Sequence, residues 1–306
     1  GAEAYDPDDR MAVPATAETA TWRERARDRG ADPALLDRMA GGTTGVVAVL
    51  DRGEGPSVGL RVDIDGLYVE EATTDDHAPA SAGFRSETGE TMHACGHDAH
   101  MTWGLAVLRR VNASDFSGRL TVFFQPAEEV SGGGRPMAES RFADDLDHLF
   151  AVHVGLGHPT GEVVGGMLRP LAMCHVDAVI SGTSAHAGKA PNEGDNAIQA
   201  VGTAIENAYG IPRHADGATR VNVGRVDAGS ASNVVAERAV VEAEARGETT
   251  ALMEYTRDHL EQVFRSAASM HGCDLSFDVV SESPRADSDD ALVDVVTAVA
   301  GDVPGV

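Results

Sequence analysis

The sequence has almost no lysine: Lys189 is the only one in 306 residues, and every other basic side chain is arginine. Asp and Glu number 49 against 24 Lys and Arg, for a formal net charge of −25. A surface of that sign repels phosphate backbones and argues against a nucleic-acid partner. Disorder is the other meaning of such charge, but a 42% hydrophobic content and many strand-like runs argue against it. An acidic, lysine-poor surface resembles that of proteins from a high-salt cytoplasm, where screening weakens repulsion between surface carboxylates. Cysteine is scarce too. Cys95, Cys174 and Cys273 are odd in number and widely spaced, a poor disulfide framework that fits a reducing compartment. Cys174 and Cys273 read as small buried hydrophobes. No apolar run approaches the roughly 20 residues needed to span a bilayer. No charged-then-apolar signal segment opens these residues. The expectation is a soluble, cytoplasmic protein with no membrane partner. No internal repeat or low-complexity linker is visible.

What is present is a succession of strand and helix patterns. A chain of this length is expected to form about two domains. Residues 17–40 are polar and helix-prone. TTGVVAVL (43–50) and VGLRVDIDGL (58–67) read as strands, RLTVFFQ (119–125) and HLFAVHVG (148–155) as short buried runs, and MTWGLAVLRRV (101–111) has helical spacing. Strands alternating with helix predict an α/β domain with its site at strand ends. The texture changes near residue 170. Strands at 175–188, 220–230, 233–246 and 274–281, with helices at 196–210 and 252–272, predict a compact α+β module inserted into the larger domain. SDDALVDVVTAVAGDV (288–303) starts a fresh helix assigned to that larger domain. The first residue is Gly rather than Met, and the last helix has no strand after it. The expectation is that chain is missing at both ends.

Three features carry chemistry. TMHACGHDAH (91–100) packs His93, Cys95, His97, Asp98 and His100 into ten residues. Cys95 and His97, two apart, can reach one ion from an extended or turn backbone, and thiolate with imidazole suits a borderline divalent metal. Asp98 is a candidate to orient an imidazole; surface histidines around a buried cysteine are the plainer alternative. FFQPAEE (123–129) ends an apolar run in adjacent Glu128 and Glu129. One could bind a metal while the other holds and deprotonates a water, although such a pair is more commonly a solvated surface pair. His153 sits inside the apolar run FAVHVG, as a core histidine with a partner or as a metal ligand.

TGVVA, RVDIDGL, MHACGHDAH, FQPAEE, AVHVG, SAHAG and SNVV, in that order, resemble the aminoacylase/carboxypeptidase superfamily of two-metal amidohydrolases. The similar branch holds the indole-acetyl-amino-acid and hippurate hydrolases, and HLFAVHVGLGHPTGEVVGG, GATRVNVGRVDAGSASNVV and EARG resemble its aminobenzoyl-glutamate-hydrolysing subgroup. The fold this implies is α/β: a central mixed sheet in a catalytic domain begun by residues 1–170 and resumed at 284–306, with a lid/dimerisation domain at 171–283. The resemblance implies two divalent ions, zinc or manganese, held by Cys95, His97, Glu129 and His153, with Glu128 as general base and one further ligand beyond residue 306. In SAHAG, His186 matches a residue that stabilises the oxyanion in a partner's site. Asn233 and Arg246 match positions that hold the substrate's carbonyl or carboxylate; a turn histidine and a solvated strand arginine are the plain alternatives. The implied activity is hydrolysis of an N-acyl or N-aroyl amino acid, in a homodimer or paired with a related subunit through the lid. The alternatives are a broader N-acyl-amino-acid or hippurate hydrolase and a non-catalytic, metal-stabilised scaffold. Gly66 and Tyr68 stand where the branch usually has Ala and Pro, which puts substrate fit in doubt.

Overall fold

The structure, a computed structural model, describes residues 16–305. It divides into two compact units between Pro159 and Thr160. Among the described residues no helix is long and apolar enough to cross a membrane.

The first unit opens with helices α1 (Thr16–Asp28) and α2 (Pro33–Arg38). The Asp32 side chain accepts from the Ala34 N–H, and Pro33 fixes the first helical φ, so α2 starts where it does. Strands β1 (Val46–Asp51), β2 (Ser57–Asp63), β3 (Arg119–Gln125) and β4 (His148–Ala151) form one sheet in the order β1-β3-β2-β4. β1 is antiparallel to β3, whereas β3, β2 and β4 run parallel. The central sheet is therefore mixed, as expected. The short helix α3 (Ala78–Ala82) lies in the long connection after β2, and helix α4 (His97–Asn112) leads on to β3. α4 packs on Leu60, Val62, Leu120, Val122 and Phe124 through Val107, Leu108 and Val111. Gly104 permits the close approach: a Cβ there would lie 3.0 Å from both the Phe124 ring and a Val62 methyl. A short helix α5 (Gly134–Ala138) follows β3. Because β2, β3 and β4 are parallel, their carboxyl ends face one way, and the chain leaves each there.

One expectation changes. HLFAVHVG is not a buried strand. Among the described residues only 148–151 of this run pair, with β2 alone, and His153 beyond them is exposed.

The second unit holds β5 (Ala172–Ser181), helix α6 (Ala197–Ala208), β6 (Thr219–Ala228), β7 (Arg238–Gly247), helix α7 (Thr250–Met270), β8 (Asp274–Ser283) and helix α8 (Asp290–Gly301). The strands form an antiparallel sheet in the order β6-β7-β5-β8. Along β5 and β7 every second residue is buried, and these positions meet α6 and α7 in one core with Val176, Ile180, Val241, Leu260 and Phe264. Asn196 caps α6 by accepting from the Ile198 and Gln199 N–H groups, and Thr249 caps α7 by accepting from Leu252. Residues 165–167 lie against α8, where the Met167 N–H donates to the Ser288 hydroxyl.

Candidate metal centre

The carboxyl ends of β2, β3 and β4 and the amino end of α4 bring the first unit's chemistry together. The chain crosses from Cys95 to His97 through Gly96, at φ +81°, which turns it into α4. HACGHD is thus a turn that starts a helix. His97 is buried, and its Nδ1–H donates to the Asp65 carboxylate at 3.0 Å. Asp98, expected to orient an imidazole, is exposed at the helix surface. That role falls to Asp65, two residues past β2. Its other oxygen accepts from the Glu129 N–H at 3.0 Å, and its carbonyl accepts from His93 Nδ1 at 2.9 Å. One carboxylate therefore fixes an imidazole and the backbone of a second candidate ligand.

After β3 the backbone reverses at Ala127, which takes φ +56°, a left-handed conformation costly for a residue with a Cβ. The turn is closed by bonds from the Gly132 N–H to the Ala127 carbonyl at 2.7 Å and from the Ser131 N–H to the Glu128 carbonyl at 2.8 Å. It aims both glutamates at one atom. His97 Nε2 lies 3.9 Å from Glu128 Oε2 and 3.7 Å from Glu129 Oε1. Glu128 and Glu129, adjacent in sequence, thus converge on one imidazole.

Hydrogen-bond partners fix the histidine tautomers. His153 Nδ1 lies 2.8 Å from the Val154 carbonyl, which can only accept, so Nδ1 carries the proton. The bare Nε2 then faces Cys95 Sγ at 3.4 Å. His97 Nε2 is bare for the same reason, and it and Glu129 Oε1 are buried without a hydrogen-bond partner. Two such acceptors with no donor between them are costly, and a cation removes the cost. Ligand atoms of Cys95, His97 and His153 all lie within 4.8 Å of one another, as do those of His97, Glu128 and Glu129. Thiolate, imidazole and carboxylate together suit zinc and similar divalent ions. The residues present fit a metal, and His97 is shared by both groups.

The charges agree. Burial raises the Glu128 carboxyl above its ordinary range, and Glu129, Asp63 and Asp65 add to the rise against the opposing Arg61. Burial, then the neighbouring Glu129, raises the Cys95 thiol. Burial also pushes Asp63 up, but the His100 hydrogen bond and the charge of Arg61 outweigh it and hold Asp63 low. Arg61 donates to Asp63 at 2.7 Å and to Gln125 at 2.8 Å. Asp63 and Asp65 were missed in the sequence. Their signal was two carboxylates at i and i+2 ending an otherwise apolar run.

In the second unit the three other candidates separate. His186 and Asn233 lie side by side: the Ala187 N–H donates to the Asn233 carbonyl at 3.0 Å, and His186 bridges Val234. Both are exposed. His186 Nδ1 accepts from the Gly188 N–H at 3.1 Å, which leaves the proton on Nε2. Arg246 is elsewhere. Ser181 pairs Arg238 while Met173 pairs Arg246, so Arg246 lies about 26 Å further along the strand at ~3.3 Å per residue. Its guanidinium is engaged by both oxygens of Glu244, at 3.1 and 2.9 Å.

Known proteins share this architecture. The chain is 38% identical, over its whole length, to the indole-3-acetyl-aspartic acid hydrolase of Enterobacter agglomerans, covering 71% of that protein. It is 39% identical over 89% of its length to a p-aminobenzoyl-glutamate hydrolase subunit of Escherichia coli strain K12, covering 63% of it. The crystal structure of the aminobenzoyl-glutamate utilization protein from Klebsiella pneumoniae superposes with a TM-score of 0.83 at 34% identity, over 99% of this chain and 70% of that one. The chain thus spans about two thirds of these relatives' length. The family described as peptidase family M20/M25/M40 matches residues 59–306, which takes in all three strand ends and the whole second unit. By that match, and by relatives aligned across its full length, the chain belongs to the M20/M25/M40 peptidase family.

Proposed function

We propose that this chain acts in a metal-dependent amide hydrolase that releases an amino acid from an N-acyl or N-aroyl amino acid. The aminobenzoyl-glutamate type is favoured by the names of two relatives. The observation that carries the reading is the meeting of bare His97 Nε2, bare His153 Nε2, Cys95 Sγ and the partnerless Glu129 Oε1. These four residues would hold two divalent ions, zinc or manganese by the mixture of thiolate, imidazole and carboxylate. Bound there, such ions supply Lewis acidity toward the amide carbonyl and acidify an attacking water. Glu128 takes that water's proton and passes it to the leaving amine; its raised carboxyl pKa suits a group that must both accept and give. Asp65 holds His97 and Glu129 in place throughout.

His186, with its Nε2–H exposed, is assigned to the developing oxyanion, and Asn233 beside it to the substrate carbonyl. Arg246, about 26 Å further along the strand, is assigned to the carboxylate of the released amino acid, which would replace Glu244 in its fork; at that distance His186 and Asn233 would serve a partner's site and not the substrate that Arg246 holds. The word subunit in the Escherichia coli relative's name supports pairing, with a second copy or a related chain, through residues 171–283. The lysine-poor, acidic composition supports a halophilic, cytoplasmic setting.

The test uses the full-length protein with added zinc or manganese, assayed on aminobenzoyl-glutamate and hippurate. Glu128→Ala should lower kcat/KM about 10²–10⁴-fold with metal uptake retained. Unchanged turnover in that variant removes Glu128 from the reaction. Metal uptake without turnover on any acyl amino acid would favour a metal-stabilised scaffold.

A further inference from the structure

The strand-end cluster holds a second buried histidine, which the chemistry above does not use. His100 is fully buried, one helical turn after His97 on α4. Its ring stacks on His97 with centroids 5.3 Å apart and meets His153 edge-on at 4.7 Å. Ligand atoms of Asp63, His97 and His100 lie within 4.8 Å of one another, which makes a third metal group conceivable. The hydrogen bonds exclude it. The Val154 N–H donates to His100 Nε2 at 2.8 Å, so Nε2 is the bare nitrogen and its lone pair is spent. Nδ1 then carries the proton and donates it to Asp63 Oδ1. Both nitrogens are committed, and neither is open to an ion.

We propose that His100 is a positioning residue, a buried strut that ties the exposed segment carrying His153 to Asp63 at the end of β2. The need for one follows from the fold. β4 stops at Ala151, His153 and Val154 are exposed, and among the described residues β4 pairs with β2 alone. Ladder hydrogen bonds do not continue to His153. The bond from Val154 to His100 sets that backbone one residue past His153, while the 3.4 Å separation of Cys95 and His153 needs it held. Asp63, gripped on its other oxygen by Arg61 at 2.7 Å, fixes the ring from behind. The consequence for metal affinity rests on the reading of Cys95 and His153 as ligands; the strut itself does not.

Two conservative variants separate the two bonds of His100 in the full chain. A glutamine amide falls near the imidazole Nε2 and can still accept from Val154. An asparagine amide falls near Nδ1 and can still donate to Asp63, but leaves Val154 unpaired. With Co²⁺ as the probe, the thiolate-to-cobalt absorption band of Cys95 reports its half of the centre. His100→Asn should weaken that band's titration about 10–100-fold, the usual cost of a lost supporting contact, and His100→Gln should recover most of it. The Val154 amide should exchange with deuterium at least about tenfold faster in His100→Asn than in the unsubstituted protein or in His100→Gln. Equal loss in both variants, or loss in neither, overturns the proposal. Should His100→Asn fail to fold, the unsubstituted protein decides: a Val154 amide that exchanges at the free-peptide rate overturns the strut, and a protected one upholds it. Absence of Co²⁺ uptake by the unsubstituted chain overturns the metal reading alone, because the exchange measurement needs no metal.

Discussion

The two units use burial in opposite ways. In the second, alternate residues of β5 and β7 are buried apolar side chains against α6 and α7, and both helices carry side-chain caps. In the first, the buried set includes Asp63, His97, His100 and Gln125, two acceptor atoms have no donor, and Ala127 sits in a left-handed conformation. The second unit has packing that stabilises itself. The first has polar atoms arranged at a cost that a ligand would remove, with strain next to the reacting carboxylates. The difference teaches where to look for chemistry: the buried, unpartnered His97 Nε2 and Glu129 Oε1 and the left-handed Ala127 meet at the strand ends of the first unit.

The largest break in this contrast should come from the second unit's core. Phe264, fully buried and packed 6.3 Å from Phe277, should cost about 3–5 kcal/mol as Phe264→Ala. Thermal unfolding would measure it, and metal titration of the variant at low temperature should match the unsubstituted protein. A comparable loss of metal affinity would mean that the units are not independent in this sense.

Asp65→Asn should do the reverse. An amide cannot accept from His97 and Glu129 with both of its heavy atoms, so one contact is lost. Metal affinity should fall about 10–100-fold, with a small change in stability. Isothermal titration with zinc reads the first quantity and a melting curve the second. A large melting shift with unchanged affinity would make Asp65 a packing residue.

The smallest effect is expected at Ala127. Ala127→Gly relieves the left-handed strain but adds freedom to the unfolded chain, so stability should rise by at most about 1 kcal/mol. Ala127→Val should lower both stability and turnover, because a branched side chain tolerates φ +56° worse. A neutral valine variant would show that the turn is not held as described.

Much of the architecture was legible in the chain. The period-2 and period-3.6 patterns marked each strand and α-helix of the second unit, because there local preference and burial agree, although the strand read at 175–188 ends at Ser181 and that read at 233–246 begins at Arg238. Cys95 and His97 stood out because Cys and His are scarce and crowd into ten residues, and Glu128, Glu129 and His153 because they end or interrupt apolar runs. The strand reading of HLFAVHVG held for residues 148–151, which pair with β2, and not for 152–155, where the chain turns toward Cys95 and His100. Asp98 was named because it is adjacent to His97 in sequence, and Asp65 was missed; a helix start turns Asp98 outward and a strand end turns Asp65 in.

The sequence by itself determined the periodicities, the acidic surface and the list of able side chains, since each is a local property of residue order. Only the tertiary structure decided which nitrogen of each buried histidine carries the proton. His97 takes its partner from 32 residues away, His100 from 37 and 54, and Glu129 from 64. An imidazole's tautomer follows from the groups that fold against it, and those contacts exist only once β2, α4 and the segment after β4 have come together.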